Sequence, residues 1–278
     1  MKYTERYAVH PADFKNYDTA RIREEFLMPD LFEADDINLV YSLYDRYIVG
    51  GILPVSKVLK LETFDSLKAP YFLERRELGI INVGGNGVIK ADGEVYELGY
   101  KEALYLGQGV VDITCESVDA HLPAKFYINS APAHKKFPNK KVTQKEANII
   151  DAGSVETCNK RKIYQLLINT VLETCQLQMG LTELQTGSVW NTMPAHTHNR
   201  RMEAYFYFEV PENQAVCHYM GQPDETRHIW MTNEQAVWSP SWSIHSGSGT
   251  ANYTFIWGMA GENLDYGDMD VVQPNQLK

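Results

Sequence analysis

The sequence predicts an all-β chain: two β-barrel or jelly-roll domains behind a short helical N-terminal arm. Three observations carry this. Short β-prone runs such as "LGIINVGG", "GVIKADG", "EVYELG" and "ALYLGQG" are cut by Gly, Asn and Asp. Turn residues every 8 to 12 positions are the mark of a sandwich or barrel. A weak internal repeat begins at Glu77 and again at Glu203, each time strand, turn, strand and then a Gly or Pro corner, as duplicated β-domains would give. Only the first fifty or so residues have a different pattern.

Taken in order, the arm covers residues 1–50. In "YDTARIREEFL", an Asp/Thr cap precedes Ile22, Phe26 and Leu27 at helical spacing, and Pro29 stops the helix. Residues 51–150 form the first β-domain. The polar stretch 135–160, "KKFPNKKVTQKEANIIDAGSVETCNK", reads as a linker. Residues 151–278 form the second domain, with strand signals in "IYQLLI", "CQLQMGLTEL", "AYFYFEV", "AVCHYM", "HIWM", "AVWSP" and "YTFIWGMAG".

Composition narrows the function. A 44% hydrophobic, 12% aromatic chain of 278 residues can fill a core, so disorder is not expected. A net charge of −10 without a basic block argues against nucleic acid. The longest apolar runs, such as "YIVGGILPV", are far short of a membrane span. Four cysteines without a C-x-x-C pair, and an opening "MKYTERYAVHPADF" without an apolar signal region, point to a reduced cytoplasmic protein.

One stretch carries chemistry: "PAHTHNRRMEAYFYF", residues 194–208. Side chains two apart in a strand share a face, so His196 and His198 project together. "NRRM" supplies a turn that lets Glu203 open the next strand beside them, with Tyr205 and Tyr207 on its face. A fourth donor, His245, follows in "WSPSWSIHSGSG". Three imidazoles and one carboxylate suit Zn²⁺, Fe²⁺, Mn²⁺ or Ni²⁺ and leave room for water or substrate. "GGNG" and "GQG" lack the helix and Lys-Ser/Thr of a phosphate loop and read as hairpin turns.

The pattern H-T-H-N-R-R-M-E followed by P-S-W-S-I-H resembles the two metal motifs of the cupin superfamily. There the usual form is H-x-H, three or four residues, E, then P-x-G-x-x-H. Trp242 stands where the second motif usually has glycine. "GSVWNTMPAHTHNRRMEAYFYFEV" and "GGNGVIKADGEVYELGYKEALYLGQG", with the total length, look like the 5-keto-4-deoxyuronate isomerase family of pectin degradation. The resemblance implies a bicupin, zinc-dependent, homohexameric ketol-isomerase. It carries one zinc per subunit on His196, His198, Glu203 and His245; Fe²⁺ and Mn²⁺ also suit this set. The N-terminal half has "YFLERRE" before Glu77 and "VVDITC" near the counterpart of His245, which implies a metal-free cupin.

The implied substrate is a small uronate-derived keto-sugar acid, 5-dehydro-4-deoxy-D-glucuronate, interconverted with 3-deoxy-D-glycero-2,5-hexodiulosonate. The reaction passes through an enediol or enediolate, whose charge a divalent metal stabilises. The base is open among Glu203, a metal-bound hydroxide, Tyr253 and another pocket residue. Arg161, within "NKRK", is either part of a solvated charge run or a carboxylate clamp. Arg201 either pairs with acidic neighbours or faces substrate, and Trp242 lies near His245 and lines the pocket. His218 and His228 read as satisfied or surface histidines. Two rivals share the scaffold: an Fe-dependent cupin dioxygenase, separated by metal analysis and oxygen uptake, and a non-catalytic sugar-binding bicupin, separated by its indifference to loss of His196.

Overall fold

A computed structural model describes residues 1–278 as strands with two short α-helices. The chain divides into two compact units. The first comprises residues 1–6, 30–148 and 166–179; the second comprises 7–29, 149–165 and 180–278. The main division, between 148 and 149, lies beside the expected boundary at 150, while 7–29 and 166–179 are exchanged between the units. Residues 1–50 are not one arm: Lys2–Arg6, Asp36–Ser42 and Ile48–Leu53 are strands of the first unit, and only 7–29 is helical and belongs to the second.

That helical piece follows from its sequence. Asp18 caps the helix Thr19–Phe26 by accepting the Arg21 N–H at 2.8 Å. Ile22 and Phe26 are one turn apart and both buried, with Phe14 from the short helix Pro11–Phe14 against Phe26. The following Leu27–Met28 pairs with Gln235–Ser239.

The sheets show the duplication that the repeat suggested. A seven-stranded sheet runs Lys2–Arg6, Asp36–Ser42, Ile48–Leu53, Phe126–Pro132, Arg76–Asn82, Ala103–Leu106, Lys140–Val142. A second runs Asn148–Ala152, Arg161–Leu167, Gln178–Leu184, Thr254–Gly261, Arg201–Phe208, Gln235–Ser239, Leu27–Met28. From Asp36–Ser42 and from Arg161–Leu167 onward five strands match in order; the sixth, at the edge, is Lys140–Val142 after the first barrel and Leu27–Met28 before the second. Each is complemented by a four-stranded sheet: Leu59–Lys60, Ile113–Ser117, Gly87–Ala91, Glu94–Leu98 in one, and Trp190–Asn191, Ser246–Gly249, Val216–Gln222, Glu225–Met231 in the other. These are two cupin-type barrels. The expected linker 135–160 is not free chain, because Lys140–Val142 and Asn148–Ala152 are edge strands.

The first barrel is filled with hydrocarbon. Leu78, Ile80, Leu104, Leu106, Ile113, Phe126 and Ile128 belong to one buried cluster. Strand alternation therefore turns Glu77 to the opposite face of Arg76–Asn82. Its carboxylate there accepts the backbone N–H groups of Cys175, Gln176 and Leu177 at 2.7–2.8 Å and the Tyr105 hydroxyl at 2.7 Å. Glu77 is thus not the counterpart of Glu203, as the repeat read by eye suggested; it pins the segment 166–179.

Candidate metal centre

The second barrel brings together the four residues that the motif singled out. Glu203 lies on Arg201–Phe208, a central strand, opposite Met259 on one side and Ser239 on the other. His196 lies on the short strand Ala195–Thr197, His198 just beyond it, and His245 immediately before Ser246–Gly249. One donor atom from each of the four lies within 4.8 Å of every other. The Glu203 and His245 side chains are almost fully buried, as is that of His198.

The hydrogen-bond pattern shows what such a cluster needs. The Arg201 carbonyl faces His198 Nδ1 at 2.9 Å. A carbonyl only accepts, so Nδ1 carries the proton and a neutral His198 presents a bare Nε2. That Nε2 meets Glu203 Oε1 at 2.8 Å, and His245 Nε2 meets His196 Nε2 at 2.9 Å and Glu203 Oε1 at 3.4 Å. Lone pairs converge at these distances only if protons or a cation lie among them. Without a cation the protons are shared unevenly. Burial, helped by the His245 charge, pushes His196 down to about 3. Burial also opposes charging of His198, but the Glu203 hydrogen bond outweighs it and its pKa is raised. Burial would lift Glu203, yet the imidazoles around it hold it well below the usual carboxylate range. A divalent ion satisfies all four donors at once, so the set fits a metal.

The cluster opens on a cavity of about 340 Å³ in the second unit. Its wall is largely apolar, including Ile150, Ile163, Phe255, Trp257 and Met259, with Arg161, Arg201, Thr182, Thr192, Tyr205 and Tyr266 as the polar exceptions. Arg161 is placed by alternation: it and Ile163 face the cavity, while Lys160 is exposed. Its guanidinium makes one hydrogen bond, to the Asn159 carbonyl at 2.9 Å. Tyr205 hydrogen-bonds Thr192 Oγ1 at 2.9 Å. A more open groove of about 750 Å³ in the first unit is lined by Val118, Leu122 and Pro123 among others and holds no converging donors.

Two expected site residues, Trp242 and Tyr253, lie off the cavity wall, and a third, Arg201, is on it. Trp242 does not line the cavity; it packs on Phe14 with ring centroids 5.2 Å apart, because the Ser243 turn bonds to Gly221 and swings the indole to the helical face. Tyr253 lies outside the wall, its hydroxyl taken by Asn191 at 2.8 Å and the Val189 carbonyl at 3.2 Å. Arg201 does line the cavity, but its Nη atoms donate to the carbonyls of Asp265, Tyr266 and Asp268 at 2.6, 3.2 and 3.1 Å. Its Nε–H is buried without a protein partner. Arg200 is exposed and sits 3.7 Å from Glu262. His218 is fully buried and hydrogen-bonded to Tyr207 at 2.9 Å, and His228 is exposed, so both match the simpler reading. Sequence reasoning missed Tyr266 and the segment around it. No periodicity marks residues 262–272.

Two matched barrels with one buried three-histidine, one-glutamate cluster define a bicupin with a single candidate metal centre. Comparison with known proteins is consistent. A model of the KduI/IolB family matches residues 26–273. The chain is 62% identical over 276 residues to the 4-deoxy-L-threo-5-hexosulose-uronate ketol-isomerase of Bacteroides fragilis, covering 99% of each chain. It is 62% identical over 277 residues to the enzyme of that name from Formosa agariphila, covering 100% of this chain and 99% of that one. Among solved structures, an IolB-like protein of Salmonella typhimurium superposes with a TM-score of 0.71 at 14% identity, over 89% of this chain and 96% of that one. Bacillus subtilis oxalate decarboxylase, in a study of its Mn(II) centres, superposes with a TM-score of 0.56 at 9% identity, over 81% and 71%. The chain belongs to the KduI/IolB family.

Proposed function

We propose that this chain is a metal-dependent ketol-isomerase of 4-deoxy-L-threo-5-hexosulose uronate, the reaction for which its 62%-identical relatives are named. In pectin and uronate breakdown it interconverts 5-dehydro-4-deoxy-D-glucuronate and 3-deoxy-D-glycero-2,5-hexodiulosonate. The observation that carries this is the convergence of His196, His198, Glu203 and His245 beside a cavity that also holds the open guanidinium of Arg161. An aldose–ketose shift needs charge stabilisation at one end of the substrate and a handle for the carboxylate at the other.

The four converging residues would hold the ion, one per subunit, and zinc is the proposed ion. When bound, it supplies Lewis-acid stabilisation of the enediolate oxygen. The rest falls to the chain. Arg161 grips the carboxylate with its planar fork. Phe255, Trp257 and Met259 exclude water, which strengthens each polar contact in the cavity. The Arg201 carbonyl fixes the His198 tautomer, so Nε2 faces the cluster. The proton relay between the two carbons is assigned to groups in the wall rather than to Tyr253, which is sequestered by Asn191.

The homohexamer and the cytoplasmic location follow the family resemblance. All four cysteines are free thiols, in keeping with a reducing compartment, and no helix is long and apolar enough to cross a membrane. Sedimentation tests the hexamer. The reaction itself is tested by turnover of the unsaturated-uronate product with and without oxygen. Equal rates are expected; oxygen consumption in step with turnover would favour the Fe-dependent dioxygenase instead.

A further inference from the structure

The chain beyond the strand Thr254–Gly261 is fastened at three points. The Glu262 N–H donates to the Arg200 carbonyl at 2.8 Å. Three carbonyls, of Asp265, Tyr266 and Asp268, then sit on the buried Arg201 guanidinium. Finally Asp270–Val272 pairs with Ala195–Thr197, placing Val271 opposite His196. A buried arginine is costly unless its donors are met, and these carbonyls take up both Nη groups with charge-assisted bonds, leaving only the Nε–H without a protein partner. A segment that merely trails off a domain would not be held this way.

Between the second and third fastenings the segment supplies the cavity wall with Tyr266 and Met269. The Tyr266 ring packs on Trp257 with centroids 5.3 Å apart, and its hydroxyl has a hydrogen bond with Gln165. Apart from the cluster and the arginines, the polar groups of the wall are hydroxyls. Tyr205 and Thr192 are paired with each other, and Thr182 belongs to the strand Gln178–Leu184. Tyr266 therefore offers a hydroxyl on a separate element, on the wall that the Arg201 carbonyl contacts define.

We propose that Tyr266 is a catalytic residue whose hydroxyl hydrogen-bonds a substrate oxygen, and that Arg201 is the positioning residue that latches segment 262–272 and so holds Tyr266 in place. This rests on the isomerase reading for the identity of the substrate, a hydroxylated keto acid with several chain oxygens. It does not rest on that reading for the latch.

The test uses the full-length, zinc-loaded chain. Tyr266→Phe keeps the ring on Trp257 and removes only the hydroxyl. It should lower kcat/KM about 10- to 100-fold, the value of one lost hydrogen bond to a charged or developing-charge oxygen, with metal content and backbone exchange of 262–272 unchanged. Arg201→Lys keeps the charge but cannot span three carbonyls. It should speed hydrogen exchange of 262–272, lower kcat/KM at least as far, and leave the double variant no worse than Arg201→Lys alone. Tyr266→Phe within twofold of the wild type would overturn the role of Tyr266. Unchanged exchange in Arg201→Lys would overturn the latch whether or not the wild type turns over the uronate. A wild type without turnover, with faster exchange in Arg201→Lys, would sink the isomerase reading and the Tyr266 role with it while supporting the latch.

Discussion

The two barrels have the same strand order and opposite interiors. Where the strand Arg76–Asn82 turns Leu78 and Ile80 inward, its counterpart Arg201–Phe208 turns Glu203 and Tyr205. One interior is closed by Leu104, Leu106, Phe126 and Ile128. The other trades that hydrocarbon for ionisable groups and a cavity. A sheet sets which positions face inward; the side chains at those positions decide whether the barrel is a core or a site. Buried ligands are a stability burden that shared protons relieve in part and a bound ion relieves at all four donors, so the metal should matter to folding as well as to turnover.

The sharpest way to break the comparison is to remove one ligand. His196→Ala should cut turnover by about 10³-fold, the scale of a lost Lewis acid, and metal content should fall with it. The matching change in the first barrel should do the reverse. Leu104→Ala leaves a cavity in a fully buried cluster and should cost about 2–5 kcal/mol of stability by denaturant unfolding, while turnover per folded molecule stays unchanged. Equal loss of turnover from both would erase the distinction drawn between the barrels.

Arg161→Lys sharpens it further. Losing the fork should raise KM about 10- to 100-fold with a smaller change in kcat. A change confined to kcat would place Arg161 at the reacting carbons rather than at the carboxylate.

Acid should expose the smallest difference. Burial, with the nearby His245 charge, pushes His218 down to about 3 from its ordinary value of 6.5. Below pH 6.5 the unfolded chain takes up a proton that the folded chain refuses, so stability falls as pH drops from 6.5 towards 3. The slope is at most about 1.4 kcal/mol per pH unit for one such group. His218→Gln should flatten the urea-midpoint profile over that window, and an unchanged slope would mean that His218 is protonated in the folded chain.

Much of this was legible in the sequence, for reasons that are local. The ligands announce themselves because strand alternation and one turn force His196, His198 and Glu203 together, and the Pro/Ser corner before His245 is compact. The helix at 19–26 was legible from its cap and spacing. What was not legible depends on distant chain. Nothing in "NKRK" says which cation alternation aims inward until the strand register is known. Glu77 looked like the partner of Glu203 because both open a repeat, but a one-residue shift reverses a strand's faces. The packing of residues 7–29 with the second unit and 166–179 with the first leaves no mark on either segment. Trp242 was misplaced because proximity in sequence to His245 says nothing about the direction of a turn. Tyr266 was invisible because its position is set by Arg201, 65 residues away.

The most direct measurement is turnover of 4-deoxy-5-ketouronate by protein stripped of divalent metal and then titrated with Zn²⁺. Activity is expected to vanish on stripping and return as one equivalent per chain is bound, with no return in His196→Ala. Full activity in the stripped protein, or no rescue by any divalent ion, would contradict a metal centre at His196, His198, Glu203 and His245.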